Sequence, residues 1–480
     1  MTPTQRWILI GLLAALLAGC SLRSGAPAEG PAAPVERPSD QREPAGAAPS
    51  SGKGGTASAG EGGEADREEA NGDQVTMLDC LRRFGLAELG PAVDALIRGR
   101  PSDDLWQCVA RTAQFDRQYR AWVAYAIVLS GMKDINPALP GYQAFARTTE
   151  LRFGEPLTVP APEGWLLRDA VPSPSGRYVA ARLAEGGVGW WAVDGSAQER
   201  YDVAGHDLVW HPEEDQLLFL SGGNRVHLVR PAGPVVHQVF EAPVEAPIRF
   251  PYWALQEWHA DEGRYPAGTV LVLADPEGEP EGLALRPDSG RWGRYPARRI
   301  PAPGREVIFP AWLTQPWSVQ FGEYLHFDPA EGWLAQPDPG GSPYTLYQVP
   351  EGAEPVSLTW SPEARFFALV ERREGRLSAQ VLRGSHDYTG RQYSVPLQSP
   401  HIAVWDDGVT TFTAAGRWVR ARNHLTGAER TWQVEGEVRG LHLAGSRLYI
   451  VLADRLIVVP FAEAASLSDA PGAEHEADAA

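Results

Sequence analysis

From about residue 150 to about residue 462 the chain is written in short apolar, β-branched and aromatic runs separated by Gly, Pro, Asp and Asn. Tyr178–Leu183, Leu217–Leu220, Thr269–Leu273, Phe366–Val370 and Tyr449–Leu452 are examples. Runs of this length bounded by turn residues read as strands, and no long helical period interrupts them. Evenly spaced short strands over so long a stretch admit few folds. A large all-β architecture is expected, and internal repetition decides which.

Repetition is present. Ser173-Pro174-Ser175-Gly176-Arg177-Tyr178-Val179-Ala180 is matched by Trp210-His211-Pro212-Glu213-Glu214-Asp215-Gln216-Leu217 and again by Trp360-Ser361-Pro362-Glu363-Ala364-Arg365-Phe366-Phe367. In each, Pro with Gly or Asp builds a turn and an apolar run follows it. These segments resemble the blade motif of TolB-like and WD40-like β-propellers, a tight turn leading into a blade strand. The resemblance covers roughly residues 150–465 and implies a β-propeller over that span. A second frame, F-P-x-W-x-x-Q-x-W, occurs at Phe250–Trp258 and Phe309–Trp317. One turn per unit puts starts near 174, 212, 251, 310, 362, 406 and 444. Their spacing is near that of four-stranded blades, so seven blades are expected, with six the alternative. The last unit is short of a strand, which Leu151–Val159 can supply.

The first twenty residues are of another kind. Arg6 is a basic flank, Trp7–Leu17 is apolar apart from Gly11, and Leu17-Ala18-Gly19-Cys20 follows. The apolar run is well short of the roughly 20 residues that a spanning helix needs, so it reads as an export signal, residues 1–19. Leu-Ala-Gly-Cys resembles the lipobox of bacterial lipoproteins. That resemblance implies lipidation of the Cys20 thiol, cleavage before it, and an anchor on the extracytoplasmic side of the cell membrane or outer membrane. An ordinary cleaved signal peptide is the alternative. Two or more acyl chains, at about 0.8 kcal/mol per buried methylene, make a stable anchor.

Residues 20–74 are dominated by Ala, Gly, Pro, Ser and Glu and contain no aromatic residue. Such a segment cannot bury enough surface to offset its ordering entropy, and it reads as a lipidated, disordered stalk. Residues 75–149 read as a small helical module. Ser102-Asp103-Asp104 is a helix start, with a capping Ser and carboxylates in the first turn. Leu105, Cys108, Val109, Thr112 and Phe115 recur behind it, and the pattern continues through Tyr119, Trp122, Ala126 and Leu129 to Gly131. Trp106, Phe115, Tyr119, Trp122 and Tyr125 are expected in its core. Cys80 and Cys108 remain once Cys20 carries lipid, and an even pair in an exported chain is a disulfide candidate, two buried thiols being the alternative. Residues 466–480 read as a disordered acidic tail.

Chemistry-bearing motifs are absent from the sequence. There is no Gly-x-Ser-x-Gly elbow, no H-E-x-x-H and no Gly-rich phosphate loop, and no catalytic residue, metal or cofactor is expected. His206 and His211 are a weak metal signal, and Asp406-Asp407-Gly408 and Asp328–Gly332 read as turns, not calcium loops. A net charge of -18 excludes nucleic acid as a partner and disfavours adhesion to anionic lipid through the protein surface. Gln256, Trp258, Gln315 and Trp317 are the candidate binding residues, aromatic faces beside amides that suit a sugar or peptide; repeat core is the bland reading. Three functions stay open. The first is a non-enzymatic envelope lipoprotein presenting its propeller to a protein or peptide partner. The second is a small-molecule or glycan binder. The third is an enzyme whose site is assembled from separate blades. Fold alone does not choose among them.

Overall fold

The computed structural model describes residues 75–85, 96–99, 102–113, 117–131, 135–211, 213–254, 258–260, 263–274, 281–295, 323–328, 332–337, 344–363, 365–383 and 393–463. The export signal, Cys20, the stalk and the acidic tail lie outside them. So do Gln256, the whole Phe309–Trp317 repeat with Gln315 and Trp317, and most of Leu86–Ile97. No described helix is long and apolar enough to cross a membrane.

Four helices lead into the sheets: α1 (Met77–Arg83), α2 (Asp103–Thr112), α3 (Arg117–Ser130) and α4 (Pro140–Arg147). Helix α2 begins as the sequence predicts. The Ser102 hydroxyl accepts the Leu105 N–H at 3.3 Å, Asp103 and Asp104 face the positive end of the helix dipole, and Arg111 sits in the last turn. The Cys80 and Cys108 sulfurs lie 1.98 Å apart, at disulfide distance, and join α1 to α2. Asp103 also reaches across to the next layer, where its carboxylate accepts the Gly141 N–H at 2.7 Å.

The unbroken apolar stripe expected from Leu105 to Leu129 is two helices, not one. Helix α2 ends at Thr112, whose hydroxyl bonds back to the Val109 carbonyl, and α3 restarts at Arg117. The reason is a change of partner. Trp106 of α2 packs on Tyr142 and Phe145 of α4, with ring centroids 5.2 and 5.4 Å away. Ala121 and Tyr125 of α3 instead enter a β core beside Phe366 and Val381. Periodicity records that a face is buried, and is silent on what buries it.

The rest is mainly β, a series of antiparallel sheets in chain order. Sheet I holds Leu167–Pro172, Tyr178–Leu183, Val188–Ala192 and Gln198–Tyr201. Sheet II holds Gly205–Trp210, Leu217–Ser221, Arg225–Arg230 and Val236–Glu241. Sheet III holds Ile248–Ala254, Thr269–Ala274, Glu281–Arg286 and Arg291–Tyr295. Three strands are described for sheet IV: Glu323–Asp328, Gly332–Pro337 and Tyr344–Tyr347. Sheet V holds Ala353–Trp360, Phe366–Arg373, Arg376–Arg383 and Tyr393–Leu397. Sheet VI holds Ile402–Val404, Thr410–Ala415, Trp418–Asn423 and Glu429–Gln433. In sheet VII, Gly440–Leu443 and Arg447–Val451 lead to Arg455–Glu463, whose free edge is covered by two strands from ahead of sheet I, Leu151–Phe153 and Leu157–Pro160.

Repetition places the core between the sheets. Sheets I and II close on Trp190, Tyr201, Trp210 and Phe219, and sheets II and III on Leu218, Leu220, Trp253 and Val270. Phe366 and Val404 join V to VI, Phe412 and Leu448 join VI to VII, and Trp191 and Tyr449 join VII back to I. Val188–Ala192 and Leu217–Ser221 are buried along their whole length, covered on both faces, which is why their sequences are nearly continuous apolar runs.

The unit start expected near 251 falls inside a strand. Pro251 lies in the register shift between Arg249 and Tyr252, and the link to the next strand carries its own small hairpin, Trp258–Ala260 with Gly263–Tyr265. Trp253 is 2% exposed against His211, so this part of the F-P-x-W frame is core.

Candidate functional site

In sheets I, II, V, VI and VII the first strand runs into its second through a short turn, and these turns gather at one end of the sheets. There, turns from sheets I, II, V, VI and VII and the start of α3 surround a cavity of about 420 Å³. Trp210 and Trp360, which end the first strands of II and V, and Trp405, which follows the first strand of VI, form its aromatic wall, with Pro172 and Pro174 of sheet I and Leu443–Ser446 of sheet VII completing it.

A polar residue one or two places after each Trp explains the turns. Ser361 Oγ accepts the Arg365 and Phe366 N–H groups at 3.1 and 3.2 Å. His211 Nδ1 accepts those of Glu213 and Glu214 at 3.2 and 3.1 Å, and burial lowers its pKa, so it serves as a neutral cap. His206 lies near the start of the strand that Trp210 ends, and a strand rises about 3.3 Å per residue, so the two histidines stand too far apart to share a metal. In sheet VI, Asp407 Oδ1 accepts the Val409 and Thr410 N–H groups at 2.9 and 2.8 Å. Gly408 completes this turn at φ +70°, with the Phe366 ring where a Cβ would stand. Asp406-Asp407-Gly408 is therefore a turn, and Asp328 pairs directly with Gly332 across a hairpin end. Among the described residues no group of three or more His, Cys, Asp or Glu is placed to hold a metal.

Two of the turns also clasp the preceding sheet. Asp215 of sheet II accepts from Ser175 Oγ at 2.7 Å and Arg177 at 2.8 Å, both in the turn of sheet I. Burial raises the Asp215 pKa, but these donors and the Arg177 charge hold it below its ordinary value. Asp406 of sheet VI reaches to sheet V in the same way, where its Oδ1 accepts the Glu363 N–H at 2.9 Å. Asp406 is 1% exposed, and its Oδ2 is buried with no hydrogen-bond partner. Burial pushes its carboxyl up to about 6, against the opposing effect of the nearby Ser361 hydroxyl.

Helix α3 and the end of sheet VII add a charged network. Arg117 donates to Glu363 at 2.8 Å and is ion-paired with Glu463 at 3.2 Å, and its guanidinium lies 5.3 Å from the Trp405 ring centre. Arg120, 2% exposed, pairs with Glu463, and Trp405 Nε1 donates to the same carboxylate at 3.3 Å. Glu363 takes a second guanidinium, that of Arg365, at 2.6 Å. Burial raises the Glu463 pKa, and Arg120 and Arg117 outweigh it and hold it below the ordinary range.

The structure joins few of the residues singled out from sequence. Cys80 and Cys108 come together. Trp258 contributes a hairpin strand, pairing with Tyr265 in backbone register, while its companions Gln256, Gln315 and Trp317 lie outside the described residues. Arg117, Asp406 and Glu463 were missed. Asp406 was within reach, since Trp405-Asp406 occupies the same place as Trp360-Ser361 and Trp210-His211. No local pattern marks Arg117 or Glu463. The chain matches no protein-family model, and a search of curated proteins returns no match.

Proposed function

We propose that this chain is an extracytoplasmic lipoprotein, anchored through lipid on Cys20, whose sheets form a seven-bladed β-propeller that presents the tryptophan-lined end to a protein or peptide partner without catalysing a reaction. Seven sheets of repeated design, with the seventh packed on the first and completed by strands from ahead of it, support the propeller over six blades. The observation that carries the function is the convergence of turns from five sheets and a helix on one concave site. Aromatic walls beside buried charges are what recognition sites are made of, and loops held by a rigid scaffold are where function concentrates.

Cross-linked pull-down from detergent-solubilised membranes tests this reading, with the full-length wild type compared against Trp360→Ala. A protein enriched by the wild type and lost with Trp360→Ala is expected. No enriched partner in repeated trials, or equal capture by both chains, would overturn it. The cavity volume also suits a small ligand. A metabolite or glycan that raises the melting temperature of the wild type but not of Trp360→Ala would transfer the site to the second reading.

A further inference from the structure

We infer that the tryptophan-lined cavity recognises a cationic side chain, an arginine guanidinium of a peptide partner, through the Asp406 carboxylate and the indole faces beside it. The inference rests on the binding reading above and names the chemistry of its occupant.

Three observations converge on it. Asp406 lines the cavity, is 1% exposed, and has one oxygen taken by the Glu363 N–H while the other accepts nothing. A buried carboxylate oxygen without a donor is costly, so a ligand that brings a donor gains what the free protein lacks. The neighbouring carboxylates are already served: Glu363 by Arg117 and Arg365, Glu463 by Arg117 and Arg120. Arg117 itself lies over the Trp405 ring. The protein thus seats its own guanidinium against this wall, by the attraction of a cation to the negative face of an indole. Arginine suits the site better than lysine because a planar fork can stack on a ring and reach a carboxylate at once.

The probes are acetyl-Gly-Arg-Gly-amide and its citrulline counterpart, equal in shape but uncharged, titrated by ligand-observed NMR against the full-length chain in detergent. The arginine peptide is expected to bind about tenfold or more tighter than the citrulline peptide, as a hydrogen bond to a charged group implies. Asp406→Asn should erase that preference and leave citrulline binding unchanged. Arg117→Gln, which withdraws the internal competitor, should tighten arginine binding severalfold, an outcome that misfolding would not produce. Equal binding of the two peptides, a preference that survives Asp406→Asn, or no binding by either would overturn the inference. Should a membrane partner still be captured by the wild type and lost with Trp360→Ala, the binding reading stands and only the cationic occupant fails. Loss of both results removes the two together.

Discussion

Helix α3, sheet VI and sheet VII meet on the Glu463 carboxylate, and removing its charge should uncouple them. Arg120 is 2% exposed and has Glu463, itself 20% exposed, as its counter-ion. Glu463→Gln keeps the shape but leaves that guanidinium buried without a countercharge. Stranding one member of a buried pair costs about 3–5 kcal/mol, and the low end applies because water reaches Glu463. Arg120→Met removes the other charge while keeping an apolar stem, and a pair replaced by apolar atoms is often nearly neutral. The double variant should therefore lose less than the two singles added together, with a coupling of about 2 kcal/mol. Urea denaturation of the four proteins at neutral pH measures it. Acid supplies a second reading. The folded Glu463 pKa lies below its ordinary value of 4.5, so the stability it contributes is full above that value and is lost as pH falls through the folded value. The gap between wild type and Glu463→Gln should narrow accordingly. Additive single effects together with a gap indifferent to pH would refute the reasoning.

Gly408→Ala should destabilise the chain by about 3 kcal/mol, combining left-handed strain with a contact against Phe366, while Gly427→Ala, at φ +76° with open space, should lose about 1 kcal/mol; thermal melts distinguish the two. Cys80→Ser opens a cross-link spanning 28 residues, worth about 3 kcal/mol on the loop-entropy model, and limited proteolysis should show cleavage near α1 and α2 before any loss of the β circular dichroism. Burial first, and then positive neighbours, push His227 and His424 down to about 4. The unfolded chain therefore takes up more protons between about 4 and 6.5, so stability should rise with pH across that window and fall as acid is added. The Asp406 and Asp407 carboxyls, both raised to about 6 by burial, oppose this between 3.8 and about 6, but burial also pushes His442 down to about 4, which leaves two groups against three. A melting temperature that is flat over the window in wild type, and unchanged in slope by His227→Gln, would contradict it. Cys20→Ala should abolish incorporation of labelled palmitate and release the chain from the membrane fraction.

Much of the fold was legible because it is local. A strand covered on both faces must be a continuous apolar run, as in Leu217–Leu220, and a turn needs its Pro, Gly or Asp whatever surrounds it. Ser102 and the two aspartates after it announced α2 for the same reason, since a helix end must satisfy its own N–H groups. The tryptophans of the repeats were legible as repeats. Their shared place at one end of the sheets follows once the strands pair in order.

What depends on partners distant in sequence was not legible. The stripe from Leu105 to Leu129 is continuous in sequence, yet it is divided between α4 and sheet V, because burial leaves the same periodic signature against any apolar surface. Arg117 meets Glu363 across 246 residues and Arg120 meets Glu463 across 343. No spacing rule reaches that far, and an arginine beside a helix start reads as a solvated charge until the sheet behind it is placed. Asp406 shows the division most sharply. Its sequence reads as a turn, and a turn it makes. Only packing against sheet V buries the carboxylate, gives one oxygen a partner and leaves the other buried without one, because desolvation is a property of the assembled surroundings and not of the residue.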